Sequence, residues 1–148
     1  GILLLFGGGI SLARGMEETQ IVNVIAEWIA SGSYASPLLI VLLVTLFAVF
    51  LTEVMSNVAL VSVFIPVAFV IARQLGLDEL SLAIPLTLGA SCAFMFPIST
   101  PPNAIVYSSG NLKMSDMAKT GLLLNLLCII CIALYGYFVG PYFFGPQP

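Results

Sequence analysis

The sequence predicts an all-α integral membrane protein, and three observations carry that prediction. The chain of 148 residues is 60% hydrophobic and 7% charged, with a mean hydropathy of +1.14. A soluble domain carries about 25% charged residues. Four Lys or Arg and seven Asp or Glu cannot cover the surface that a soluble chain of this size leaves to water. The apolar residues fall in long runs separated by short polar stretches. Lipid is therefore the solvent for much of the surface. There the backbone must satisfy its own hydrogen bonds, and helices of about 20 residues do so while crossing the hydrocarbon core.

Several other classes find no support. The net charge of −3 is scattered and forms no basic stripe, so nothing points to nucleic acid. The chain has no histidine, no Ser/His/Asp set and no carboxylate-rich or thiol-rich cluster, so neither an enzyme nor a metal centre is expected. Cys92, Cys128 and Cys131 lie in apolar runs, where cysteine behaves as a small hydrophobe. Cys128 and Cys131 form a CxxC without a second pair, a weak zinc or redox signal. Gly7-Gly8-Gly9 lacks the downstream Lys and Ser or Thr of a phosphate-binding loop and reads as close packing or a bend.

Residues 1–10, "GILLLFGGGI", read as the tail of a membrane helix ending at the three glycines. No charged segment precedes them, which does not fit a signal peptide. A start inside an apolar run predicts the C-terminal part of a longer protein. Residues 11–31 carry Arg14, Glu17, Glu18 and Glu27 against Ile21, Val24, Ile25, Trp28 and Ile29 at helical spacing. They are too polar to span and predict an interfacial helix anchored by Trp28, with an extramembrane connecting helix as the alternative.

Ser36 and Pro37 mark the next helix start. An almost unbroken apolar run from Leu38 to Leu51 leads to Thr52-Glu53-Val54-Met55-Ser56-Asn57. A second run follows to Ala72, with Arg73 and Gly76 as its stop signals. On length alone the arms, 37–55 and 58–74 at about 18 residues each, suit two spans joined by a surface turn. The alternative is a re-entrant hairpin whose tip reaches the protein interior. A third run, Leu80 to Ile98, leads into Ser99-Thr100-Pro101-Pro102-Asn103, and a last run from Gly121 is long enough to span, with a Tyr- and Phe-rich end that suits an interface. Four positive charges are too few to orient the chain.

The two polar breaks are the candidate functional positions. Pro97, Pro101 and Pro102 bias Phe96, Thr100 and Pro101 away from helix, so the helix is expected to open at 97–103 and resume as a short half-helix. A proline kink is the bland reading. A double proline beside Ser99, Thr100 and Asn103, however, gathers hydroxyl, amide and freed carbonyl groups at one level. Discontinuous helices of this kind form ion and substrate sites in secondary carriers. Hard oxygens suit an alkali cation and a helix N-terminus suits a carboxylate, so the two breaks together predict one site. Glu53 is the one acid between strongly apolar runs, where ionisable groups are costly. It reads equally as a cation partner, as an acceptor that orients the tip through backbone hydrogen bonds, or as a surface residue.

"TEVMSNVA" (52–59), followed by "SCAFMFPISTPPNAIVYSSG" (91–110), resembles the divalent anion/sodium symporter family. "LLLFGGG" (3–9) and "MAKTGLLLNLL" (117–127) extend the resemblance across nearly the whole chain. It implies the second half of an inverted-repeat elevator-type transporter. Residues 1–35 would be the end of a membrane helix plus an interfacial helix, and 36–76 a re-entrant helical hairpin. Residues 77–116 would be a broken membrane helix, and 117–148 the final membrane helix and C-terminus.

The resemblance further implies a multi-pass protein of the plasma (cell inner) membrane, a homodimer in its full-length form, and co-transported sodium ions. The substrate class is a small di- or tricarboxylate such as succinate, malate, fumarate or citrate. The alternatives are a carrier of sulfate or another anion and a sodium-independent dicarboxylate exchanger of the same fold. Residue by residue, Ser56, Asn57, Thr100, Pro101 and Pro102 match substrate-contacting positions. Thr52, Ser56, Asn57, Ser99, Thr100 and Asn103 match or flank the sodium positions. Val58 stands where the family often has Thr, and Ser99 where Ala is more usual.

Overall fold

A computed structural model of the chain describes residues 2–21, residue 24 and residues 36–139. Every regular element among these residues is an α-helix. The first, α1 (Ile2–Glu18), runs without a break through Gly7–Gly9. This corrects the expectation of a helix that stops at the glycines and a second that starts at residue 11. Glycine disfavours a helix interior by about 1 kcal/mol relative to alanine. Close packing offsets that cost here, because a Cβ on Gly9 would lie 2.5 Å from the Ser62 carbonyl oxygen of the neighbouring helix. The Trp28 segment of the expected interfacial helix lies outside the described residues.

The second helix, α2 (Pro37–Leu51), starts where the sequence signals place it. Ser36 Oγ accepts from Leu39 N at 3.2 Å, and Pro37 takes the first position, where its missing N–H is harmless. The 15 residues of α2 make it about 22 Å long at the usual rise, short of a ~30 Å hydrocarbon core. The chain leaves the helix at Thr52 and re-enters one at α3 (Asn57–Gln74). Ser56 Oγ caps α3 by accepting from Ala59 N at 3.2 Å. At its far end Leu77 N donates to Ala72 O at 2.9 Å and Gly76 N to Arg73 O at 3.1 Å. That Schellman arrangement needs a left-handed residue, supplied by Gly76 at φ 66°. Arg73 Nε then pairs with Glu79 Oε1 at 2.6 Å across the connection.

The next two helices, α4 (Leu80–Ala90) and α5 (Pro101–Ser108), flank the non-helical residues 91–100. The break is present but opens earlier than the prolines predict. Pro101 and Pro102 do not unwind a helix; they occupy the first two positions of α5, whose N–H groups would have no intrahelical acceptor in any case. The last helix, α6 (Met114–Phe138), has 25 residues. Among the described residues, α3 and α6 are the helices long and apolar enough to cross a membrane.

The middle of the bundle is α4, which packs on α2, α3 and α6, while α1 lies on α3 and α2 on α6. Ile40 and Val41 of α2, Ala68 and Ala72 of α3 and Leu82 of α4 bury one another. Ala48, Leu60, Leu86 and Ala90 form a second layer next to the α2–α3 tip. Phe47 and Phe64 meet edge to face at 5.1 Å across the two arms. This packing fixes the tip at 52–56 against the opened segment after α4.

The α1–α3 crossing gives a first test. A Gly9→Val side chain would press on the Ser62 and Val63 backbone, an overpacking that costs roughly 1–3 kcal/mol. The thermal midpoint of the detergent-solubilised full-length protein is expected to fall, whereas Gly8→Ala, which meets no atom within 4 Å, leaves it unchanged or raises it. Equal midpoints for Gly9→Val and the parent would show that α1 does not approach α3 in this way.

Candidate functional site

The two polar breaks meet at one carboxylate. Glu53 sits on the α2–α3 tip and is 2% exposed. Its Oε1 accepts from Phe94 N at 2.9 Å, Met95 N at 2.9 Å and Asn125 Nδ2 at 2.7 Å. Its Oε2 accepts from Ser99 Oγ at 2.5 Å and Phe96 N at 3.3 Å. A carboxylate taken out of water costs several kcal/mol unless it is hydrogen-bonded on both oxygens. Three successive backbone N–H groups turned toward one anion form a nest that meets this need. The need is mutual, since backbone N–H groups turned away from water also require acceptors.

The acceptors of the opened segment are met from the other side. Asn103 Nδ2, on α5, donates to Ala93 O at 2.9 Å and to Phe96 O at 3.1 Å. Glu53 thus takes donors of the segment and Asn103 takes acceptors. Of the three readings of Glu53 open from the sequence, backbone hydrogen bonding is the one observed. The backbone concerned belongs to the broken helix rather than to the Glu53 tip.

A second cluster lies beside it. Thr52 Oγ1 is 2.7 Å from the Ala90 carbonyl oxygen and 2.7 Å from Asn57 Oδ1. A threonine hydroxyl has one proton to donate, so three oxygens share one proton at hydrogen-bonding distance. Thr52 is fully buried and Asn57 half-buried. Uncharged oxygens gathered in this way suit a hard monovalent cation better than a transition metal, which prefers nitrogen or sulfur.

The remaining sequence-predicted residues have distinct placements. Ser56 Oγ and Thr100 Oγ1 cap their helices, the latter accepting from Asn103 N at 3.4 Å. Ser99 is engaged with Glu53, and its hydroxyl also lies 3.0 Å from the Glu53 carbonyl oxygen. Pro101 and Pro102 are exposed at the start of α5. Glu53 and Ser99 stand four and two residues ahead of the α3 and α5 N-terminal residues, Asn57 and Pro101. Their mutual bond therefore brings the two helix starts into one neighbourhood. Thr52 and Asn57 meet directly, and the tip meets the broken helix twice, through Thr52 at the Ala90 carbonyl and through Glu53 at residues 94–96 and 99.

A family match agrees with this geometry: the model of the sodium:sulfate symporter transmembrane region matches residues 1–144. The chain belongs to that family. It is thus part of an integral membrane protein, and the relatives below are named as transporters rather than enzymes. The chain is 45% identical over 140 residues to an uncharacterized transporter of Haemophilus influenzae, covering 93% of this chain and 30% of that protein. It is 40% identical over 141 residues to a sodium-dependent dicarboxylate transporter of Staphylococcus saprophyticus, covering 95% and 27%. It is 44% identical over 133 residues to Na(+)/dicarboxylate cotransporter 3 of Mus musculus, covering 90% and 22%. The chain spans less than a third of the length of these relatives.

Within this member of the sodium:sulfate symporter family, sequence reasoning missed Asn125, the Ala90 carbonyl and the N–H groups of 94–96. Asn125 had a visible signal, as the one amide in the last apolar run, "GLLLNLLCIICIALYG"; polar side chains inside membrane helices default to a functional reading. The other groups are backbone and carry no side-chain signal.

Replacing Glu53 tests the arrangement. In Glu53→Gln an NH2 group faces either the N–H groups of Phe94, Met95 and the Asn125 amide or the Phe96 N–H and the Ser99 hydroxyl. Leaving such buried groups unpaired costs on the order of 2 kcal/mol or more. The full-length Glu53→Gln protein is expected to melt measurably below the parent in detergent, and an unchanged midpoint would contradict a buried Glu53 nest.

Proposed function

We propose that this chain is the C-terminal part of a sodium-coupled carrier of dicarboxylates, and that residues 52–57 and 99–103 form half of its transport site. The observation that carries this reading is the joining of two helix N-termini to a cluster of uncharged oxygens by one buried carboxylate. The relatives named as sodium-dependent dicarboxylate transporters support the same substrate and cation.

The roles follow from the donor and acceptor sets. We assign one sodium ion to Thr52 Oγ1, Asn57 Oδ1 and the Ala90 carbonyl, the latter two each 2.7 Å from the Thr52 hydroxyl. The substrate carboxylate belongs at the starts of α3 and α5, where Ser56, Asn57 and Thr100 present polar groups and the helix dipoles favour an anion. Pro101 and Pro102, exposed at that end, form part of the wall without competing donors. A dicarboxylate carries two negative charges toward the already negative Glu53. Sodium beside it offsets that charge and orders the same loops, so substrate affinity depends on sodium by linkage.

The short α2 supports the re-entrant reading of 36–76, since a helix of about 22 Å does not cross a ~30 Å core. The other half of the site then comes from an inverted copy elsewhere in the full-length protein. An elevator movement, a homodimer and a plasma-membrane location complete the proposal. Val58, 54% exposed beside the tip, offers no hydroxyl to the substrate.

Uptake into vesicles containing the full-length protein tests this. Labelled succinate is expected to accumulate with sodium and not with choline outside. Asn57→Ala and Thr100→Ala are expected to reduce that uptake by tenfold or more, about 1.4 kcal/mol or more in transport efficiency, with membrane accumulation intact. Normal uptake by both variants would sink the site assignment, and equal uptake in choline would sink the sodium coupling. Uptake of sulfate in place of succinate would move the reading to another anion.

A further inference from the structure

We propose that Asn125 of α6 is a positioning residue that sets the sodium affinity of the site by holding Glu53 from behind, and that Gly121 makes this possible. The inference rests on the sodium assignment made above and names a device outside both polar breaks.

Asn125 is fully buried and lies 72 positions along the chain from Glu53. Its Nδ2 donates to Glu53 Oε1 at 2.7 Å, shorter than any of the three backbone bonds to that carboxylate. Among the described residues its Oδ1 is buried without a hydrogen-bond partner. Stranding a buried acceptor is unfavourable, a penalty that an apolar side chain at this position would avoid. The residue is therefore not explained by its own satisfaction. The donor it presents to Glu53 accounts for it. Turning the amide over would aim an oxygen at the carboxylate and strand the nitrogen, so the observed orientation is the favourable one.

Gly121 stands one turn earlier on the same face of α6. A Cβ there would lie 2.4 Å from Phe94 O, 2.5 Å from Phe94 C and 2.6 Å from Met95 Cα. The helix thus touches the backbone of the nest directly, and the next turn reaches the anion inside it. Gly121 seats the loop and Asn125 anchors the carboxylate, so α6 fixes both halves of the Glu53 nest in one frame.

The link to sodium is short. Glu53 is the chain neighbour of Thr52, and Phe94 follows Ala90 by four residues. Thr52 Oγ1 and Ala90 O are two of the three oxygens assigned to the ion. When Glu53 loses its tie to α6, these oxygens lose their fixed spacing, and the ion must reorganise them on binding. The cost appears as weaker sodium binding, and high sodium restores the site by mass action.

The experiment uses the full-length protein with Asn125→Ala, which removes the N–H donor without adding a charge, and Asn125→Leu, which removes polarity at similar size. Succinate uptake into proteoliposomes is measured across sodium concentrations. Both variants are expected to raise the sodium concentration for half-maximal uptake about fivefold or more, within the range of coupling energies between sites. Maximal uptake at saturating sodium is expected to stay within about twofold, in keeping with recovery by mass action. An unchanged sodium dependence, with or without a lower maximal rate, overturns the proposal, since a purely structural role lowers the rate at every sodium concentration.

Asn125→Ala carries the result where Asn125→Leu fails to reach the membrane. Sodium-dependent thermal stabilisation of purified protein without substrate gives a second reading of the same quantity. Where the parent takes up no succinate yet is stabilised by sodium, the substrate assignment falls and this shift still decides the role of Asn125. Where sodium does neither, both fall together.

Discussion

The Glu53 carboxylate is the interaction on which the rest of the described structure depends. It takes N–H groups from 94–96, the Ser99 hydroxyl and the Asn125 amide, at 2% exposure. An opened backbone and a buried anion are each unfavourable in a low-dielectric interior, and each supplies what the other lacks. That pairing explains why α4 stops at Ala90, well before the prolines. The three N–H groups reach Glu53 only when the chain has left the helix.

The same pairing arranges the polar groups beyond it. Ser56 and Thr100 cap two helices whose starts lie close to Glu53 and Ser99 in the chain. Thr52, one residue before Glu53, meets Asn57 and the Ala90 carbonyl. Asn103 closes the other side by bonding the carbonyls of Ala93 and Phe96. In the transport reading, the negative Glu53 favours a cation nearby, and the cation in turn makes room for a dianion. Sodium and substrate then share one electrostatic account, which is the physical content of their coupling.

Small residues let the helices come close enough for this to form. Gly9 admits α1 to the backbone of α3, and Gly121 admits α6 to the backbone of the nest. Ala48, Ala68, Ala72 and Ala90 are buried where α2, α3 and α4 meet. Between membrane helices, close backbone approach by small residues and interhelical hydrogen bonds take over part of the role that hydrophobic burial has in water. The bond from Asn125 to Glu53 belongs to the second kind.

Composition and apolar runs by themselves determined a helical membrane protein, and capping chemistry placed the starts at Ser36–Pro37 and the stop at Gly76. The motifs at 52–57 and 99–103 marked the polar breaks and the family. These features are legible because they act locally, through hydropathy, proline and caps. Three things were decided only by the tertiary structure. The glycines at 7–9 continue a helix because α3 lies against Gly9; without that neighbour their poor helix propensity reads as an end. The opening begins at residue 91 because a side chain 41 positions earlier along the chain draws in Phe94 N; proline sterics alone pointed to 97–103. Asn125 and the Ala90 carbonyl enter the site through bonds that span 72 and 38 positions. Contacts of that range follow from how helices pack, which no local pattern of residues encodes.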